Sequence, residues 1–233
     1  MGEVVGLGTW TATARRDHVQ MTSADVRLAI FDLDGTLVDS TGDLAAAGNV
    51  ARASLGLPAL PVAAVASFVG DGAEKLLERL TPDATPAQRA QAMAAFKAHY
   101  RTHCTDTTTA YDGVPAMLAA LAGAGWRLGV ATNKPQEFSE RILAHLGLAK
   151  CFVLVVGGDG PRKPDPGQLQ RIMVHAAIPP ERTWMIGDHR TDILAGRAAG
   201  CRVLWCRWGI GRHDGLAADA VADRAEQIPG LLA

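Results

Sequence analysis

The chain is short of cysteine: it has four, Cys104, Cys151, Cys201 and Cys206, and no two form a CxxC pair. That spacing supports neither a zinc site nor a disulfide framework, so reduced thiols in a cytoplasmic protein are the expectation. A cationic excess is missing too. Lys and Arg number 23 against 24 Asp and Glu, for a net charge of −1. With no basic run or patch, no nucleic-acid partner is expected. No apolar stretch approaches the roughly 20 residues that a bilayer span needs, and no membrane partner is expected either. Residues 1–20 lack the continuous apolar segment and small-residue cleavage site of a signal peptide. They read as an N-terminal extension, an over-long start or a loose tail ahead of Met21. Repeats and low-complexity tracts are absent as well. The remaining composition, 48% hydrophobic and 20% charged over 233 residues, suits one soluble domain or a core with an insertion, as a monomer or homodimer.

Short apolar runs at 27–31, 127–131, 152–156, 183–186 and 202–206 have the look of strands covered on both faces. Helical patterns at 135–146, 167–176 and 191–199 separate most of them, with Gly147 and Gly200 suited to closing two of the helices. This alternation predicts an α/β fold with a doubly wound parallel sheet. Residues 43–110 break the rhythm with four helical stretches, at 43–54, 61–68, 73–80 and 86–103, and no convincing strand. Thr85 is a good N-cap for the last of these. The expected organisation is an α/β core of residues 21–42 and 111–233, with an inserted all-helical cap at 43–110 hinged near 39–42 and 108–112.

In open parallel sheets, ligands bind beyond the carboxyl ends of the strands. In "IFDLDGTLVDST" the first predicted strand ends at Asp32 and Asp34; Thr132, Asn133 and Lys134 follow the second. The third leads to "RKPDP" with Lys163, and the fourth to "GDHRTD" with Asp188 and Asp192. Two adjacent carboxylates at a strand mouth repel each other and lose solvation, and a cation answers both costs. Asp32 is a candidate nucleophile, and Asp34, swung back by the turn at Gly35, a candidate general acid/base. Asp32 and Asp188 make an oxygen site of the kind Mg²⁺ prefers. Lys163, Thr132 and Asn133 are candidates to bind phosphate where charge develops.

These motifs, "DLDGT", "ATN", "RKPDP" and "GDHRTD" in that order, resemble the haloacid dehalogenase superfamily. The resemblance implies a phosphatase of small phosphorylated metabolites that works through an aspartyl-phosphate. Asp32 would be nucleophile and Asp34 acid/base, with its backbone carbonyl on Mg²⁺. Thr132 and Lys163 would hold phosphate, Asp188 would bind the metal, and Asp192 would support it directly or through water. The helical insertion resembles the small cap of one branch of that superfamily. "FVGDGAEKLLERL", "GVATNKP" and "VVGGDGPRKPDP" are also similar to the branch that hydrolyses 2-phosphoglycolate. His189 departs from the pattern, standing where Ser or Thr is usual.

Other readings compete. A phosphosugar phosphatase or mutase of the same superfamily would use the same residues. A phospho-receiver would not need Asp34 or the insertion, and it would hold its acidic pair ahead of the lysine. An EF-hand loop is excluded because Gly35 stands fourth, where that loop needs Gly sixth. His99, Arg101 and His103 are expected on a solvated helix face. Trp205 and Trp208 are expected to pack or sit at a rim, and Cys201 and Cys206 to be small core residues.

Overall fold

The computed structural model describes residues 26–232. The expectation for residues 1–20 lies outside them.

Four buried residues, Leu28–Phe31, form β1 at the centre of the sheet. A polar residue here would leave an unpaired group inside; the sequence "LAIF" offers none. To one side of β1 lie β4 (Arg127–Ala131) and β5 (Leu154–Val156), and to the other β6 (Thr183–Gly187), β7 (Arg202–Cys206) and β8 (Ala220–Ala222). The order is β5-β4-β1-β6-β7-β8, and every pairing is parallel. The expected α/β class with a doubly wound parallel sheet is what the chain forms. β8 carries no signal in the sequence reading, because three residues, two of them alanine, are too short to show a period.

Alternate residues of β1 face different layers. Ala29 and Phe31 join one core with Leu128, Val130 and Ile186. Leu28 and Ile30 join another with Ala131, Met185 and Ile172. The first layer is covered by α5 (Val114–Gly123) and α6 (Gln136–His145), the second by α7 (Gly167–Ala176) and α8 (Arg190–Ala198). The short α9 (Ile228–Leu231) packs beside α5 and β8.

Between β1 and α5 come α1 (Thr41–Ala53), α2 (Val62–Ala66), α3 (Ala73–Leu80) and α4 (Pro86–His103). α4 starts in a capping box, with Thr85 accepting from the Gln88 amide and Gln88 reaching back. The chain enters and leaves this helical block through β2 (Val38–Asp39) and β3 (Thr109–Ala110), a two-stranded antiparallel ribbon. Two-residue strands were invisible to a search by period, so the ribbon is a departure from the strand-free insertion expected above.

Below the ribbon, Asp43 of α1 is buried. It accepts from the backbone amides and hydroxyls of both Thr107 and Thr108, at 2.6–3.2 Å. Burial alone would raise this carboxyl, but those hydrogen bonds hold it below its usual value. Its contribution is therefore present above the ordinary carboxylate range and fades as pH falls through it. Asp43→Ala should lower stability by about 2–3 kcal/mol at neutral pH, read from the denaturant midpoint. The gap to wild type should narrow in acid.

Candidate active site

The seven predicted site residues lie at the carboxyl ends of β1, β4 and β6, on the loop before α7 and in the first turn of α8. Asp32, directly after β1, Asp188, after β6, and Asp192, in the first turn of α8, bring carboxylate oxygens within 4.8 Å of one another. All three are buried. Lys163 Nζ lies 2.9 Å from Asp32 Oδ1 and 2.6 Å from Asp192 Oδ1. Burial works against the charge on Lys163, yet Asp192 and Asp32 raise its pKa above the ordinary lysine value. Asp192 also accepts from the His189 amide at 2.9 Å. It therefore anchors the lysine and caps α8.

Asp188 is held from three directions. Thr36 Oγ1 donates to Oδ1 at 2.9 Å, and the amides of Ile210 and Gly211 donate to Oδ2 at 2.9 and 2.8 Å. The loop after β7, which brings those amides, went unnoticed in the sequence because backbone donors leave no residue signature. Trp205 and Trp208, expected as packing residues, anchor the same loops: their indoles donate to the carbonyls of Asp188 and Thr36. Gly35 has φ +85°, and a Cβ there would overlap the Asp188 carboxylate. A glycine is required at that turn on both counts.

Three carboxylates against one ammonium leave a formal charge of −2 in a buried space. Burial, then repulsion from Asp32 and Asp192, pushes Asp188 up to about 8. Burial raises Asp32 to about 6 in spite of Lys163. Hard carboxylate oxygens in this number, with an uncompensated negative charge, fit a divalent cation such as Mg²⁺.

Asp34 points elsewhere. Its Oδ1 accepts from Ser40 Oγ at 2.5 Å, and both oxygens contact Lys134 Nζ, at 3.0 and 2.9 Å. Ser40 precedes α1 but does not cap it, because its hydroxyl is spent on Asp34. Lys134, three residues past β4, has no role assigned from the sequence; lysines are mostly exposed, but this one is buried. Thr132 is buried beside Asp32, and its Oγ1 accepts from the Lys134 amide, which leaves its own hydrogen free. Asn133 behaves differently from the reading above. Its amide donates to the carbonyls of Gly70 and Lys163 at 3.0 Å and accepts from the Lys163 amide at 2.8 Å. Its side chain braces the lysine loop and the helical block.

His189 replaces the usual Ser or Thr without losing the cap: Nδ1 accepts from the Thr191 amide at 3.3 Å, as a hydroxyl oxygen would. Burial lowers its pKa from the ordinary value. The ring lies against Gly70, where a Cβ would collide with it. Asp71 pairs with Arg79 and lies 3.5 Å from Arg190, while Glu74 pairs with Arg162 at 2.6 Å. Three loops of the sheet thus hold one stretch of the helical block. Between block and sheet is a cavity of about 50 Å³, bounded by Asp32, Asp34, Thr132, Lys134, Phe96 and Tyr100. His99, Arg101 and His103 do not line it.

A parallel sheet whose strand ends gather three buried carboxylates around one lysine, under an inserted helical block, is the architecture of a hydrolase of the α/β class. The sequence profile of the haloacid dehalogenase-like hydrolases matches residues 29–206, and the chain belongs to that family. Among its relatives, the phosphoglycolate phosphatase of Vibrio vulnificus is 36% identical over 220 residues, 89% of this chain and 96% of that protein. The plasmid-encoded phosphoglycolate phosphatase of Cupriavidus necator is 38% identical over 212 residues, 87% of this chain and 91% of that one. A solved structure described as a predicted phosphoglycolate phosphatase from Haemophilus somnus superposes with a TM-score of 0.83 at 27% identity, covering 89% and 98% of the two chains. No helix among the described residues is long and apolar enough to cross a membrane.

The raised carboxyls set a pH dependence. A folded-state pKa above the unfolded 3.8 favours the protonated fold, so stability is lost as pH rises through about 6 for Asp32 and about 8 for Asp188. In chelator, the melting temperature should fall from pH 5 to pH 8. Mg²⁺ should restore more at pH 8 than at pH 5, because it binds the ionised cluster. Asp188→Asn should flatten both responses in thermal unfolding.

Proposed function

We propose that this chain is a Mg²⁺-dependent phosphatase that hydrolyses a small phosphomonoester through an aspartyl-phosphate on Asp32, with 2-phosphoglycolate the leading substrate. The observation that carries this reading is the placing of Asp32 and Asp34 on one cavity wall, each contacted by its own buried lysine.

Asp32 attacks phosphorus while the ester P–O bond breaks. Asp34 gives its proton to the leaving oxygen, and as carboxylate it later takes one from the water that attacks the phosphoenzyme. Thr132 has a hydroxyl hydrogen to donate to phosphate, and Lys163, with two contacts to carboxylates, has a third N–H for the same purpose. Asp32 and Asp188, with the backbone carbonyl of Asp34, would hold the cation, and Asp192 would support it directly or through water. When bound, the cation offsets the negative charge facing the phosphate and polarises it.

Residues 43–110 act in this reading as a cap that excludes bulk water. The cavity between the block and the sheet is small, about 50 Å³. Such a volume favours a short leaving group, and the relatives named phosphoglycolate phosphatase support the same choice.

With Mg²⁺, the protein should release inorganic phosphate from 2-phosphoglycolate faster than from sugar phosphates. Silence across a panel of small phosphomonoesters would dispose of the proposal. Asp32→Asn should remove turnover while leaving the circular dichroism spectrum unchanged. Asp34→Asn should cost about 10²–10⁴-fold in rate.

A further inference from the structure

Lys134 has no part in the mechanism above, yet its ammonium is buried within the cavity wall. It makes two contacts with Asp34, and it stands 4.8 Å from the centroid of the Tyr100 ring. Tyr100 belongs to α4 in the helical block, Lys134 to the loop after β4, and Asp34 to the loop after β1. The Tyr100 ring is itself fixed, stacked on Phe96 at 5.5 Å and edge-on to Phe138 at 5.0 Å. A buried ammonium beside an aromatic face is favoured over one beside aliphatic surface.

We propose that Lys134 is a positioning residue for the acid/base Asp34, and that the Tyr100 ring is the platform by which the helical block holds Lys134 in place. The inference rests on the phosphatase reading. The two oxygens of Asp34 are not equivalent. Oδ1 accepts from both Ser40 and Lys134, whereas Oδ2 accepts from Lys134 alone. The free lone pair on Oδ2 is therefore the place for the transferable proton. Lys134 has no acceptor and cannot take that proton; it fixes the plane of the carboxyl. In the first step the P–O bond breaks, the Asp32–phosphorus bond forms, and the Oδ2 proton passes to the leaving oxygen. With the ring withdrawn, Lys134 loses one wall and Asp34 its orientation. Proton transfer is thereby tied to the docked position of the helical block.

Positioning of an acid shows in the leaving group. An alkyl phosphate needs protonation as its P–O bond breaks, whereas p-nitrophenyl phosphate expels a stable anion and needs little help. In Lys134→Met, kcat/KM for 2-phosphoglycolate should fall about 30-fold or more, a part of the range open to general-acid catalysis. For p-nitrophenyl phosphate it should fall less than about threefold, because that ester draws little on the acid. Asp34→Asn should show the same divergence, and Lys134→Met should add little to it. Lys134→Arg should recover part of the loss, and Tyr100→Leu should reproduce a weaker form of the Met phenotype. Circular dichroism and thermal unfolding establish that each variant is folded; the arginine variant keeps the charge if the methionine one is not. Equal losses on both esters, or full additivity with Asp34→Asn, would overturn the proposal and leave the phosphatase reading standing. Wild-type protein inactive on both esters would remove the two together.

Discussion

The meeting of Lys163 with Asp32 and Asp192 is the contact around which the molecule is arranged. Three carboxylates cannot share a buried space with one ammonium unless something else relieves their repulsion, and the structure goes far to relieve it. Thr36 and two amides of the loop after β7 hold Asp188, the His189 amide holds Asp192, and the Leu33 amide donates to Asp32 at 2.7 Å. Removing one partner of such a group leaves an unpaired buried charge, which is why each position is committed. What the protein groups do not neutralise is a formal two units of charge, and hard oxygen donors of this number suit a divalent cation. Chemistry and stability thus draw on the same electrostatic deficit.

A second pair of charges, Asp34 and Lys134, stands beside the first without merging into it. The separation sorts two aspartates one residue apart into different environments. Asp32 faces the acidic cluster, and Asp34 faces a lysine, a serine hydroxyl and the cavity. Two carboxyls separated by one residue thereby sit in distinct environments, the arrangement that the proposed division into an attacking and a proton-carrying group requires.

The helical block reaches the candidate site at several points that have nothing in common in sequence. Asn133 binds Gly70, His189 packs on the same glycine, Arg162 pairs with Glu74, and Tyr100 lies against Lys134. The loops after β4, β5 and β6, which carry candidate site residues, therefore also touch the block. The ribbon of β2 and β3 and the Asp43 clasp tie down both linkers, so the block is joined to the sheet by short, hydrogen-bonded connections.

Much of this was legible in the chain itself. Apolar runs long enough to be buried on both faces announced five of the six strands of the sheet, and carboxylates, a lysine and hydroxyls in the segments after those runs announced the candidate site. Both signals are local: a strand needs its own apolar residues, and a residue after a parallel strand faces the ligand edge whatever else the chain does. Residues whose meaning depends on a distant partner gave no such sign. Asn133 carried the right chemistry for phosphate, yet its amide went to Gly70 and to the backbone of Lys163. Lys134 carried no assigned role until α4 covered it, and the amides of Ile210 and Gly211 have no letter in the sequence at all. Order along the chain determined which functional groups exist and at which strand ends they emerge. Only the packing of the helical block and the loop after β7 decided which of those groups are desolvated and which are paired, because burial and hydrogen bonding are set by neighbours far away in sequence.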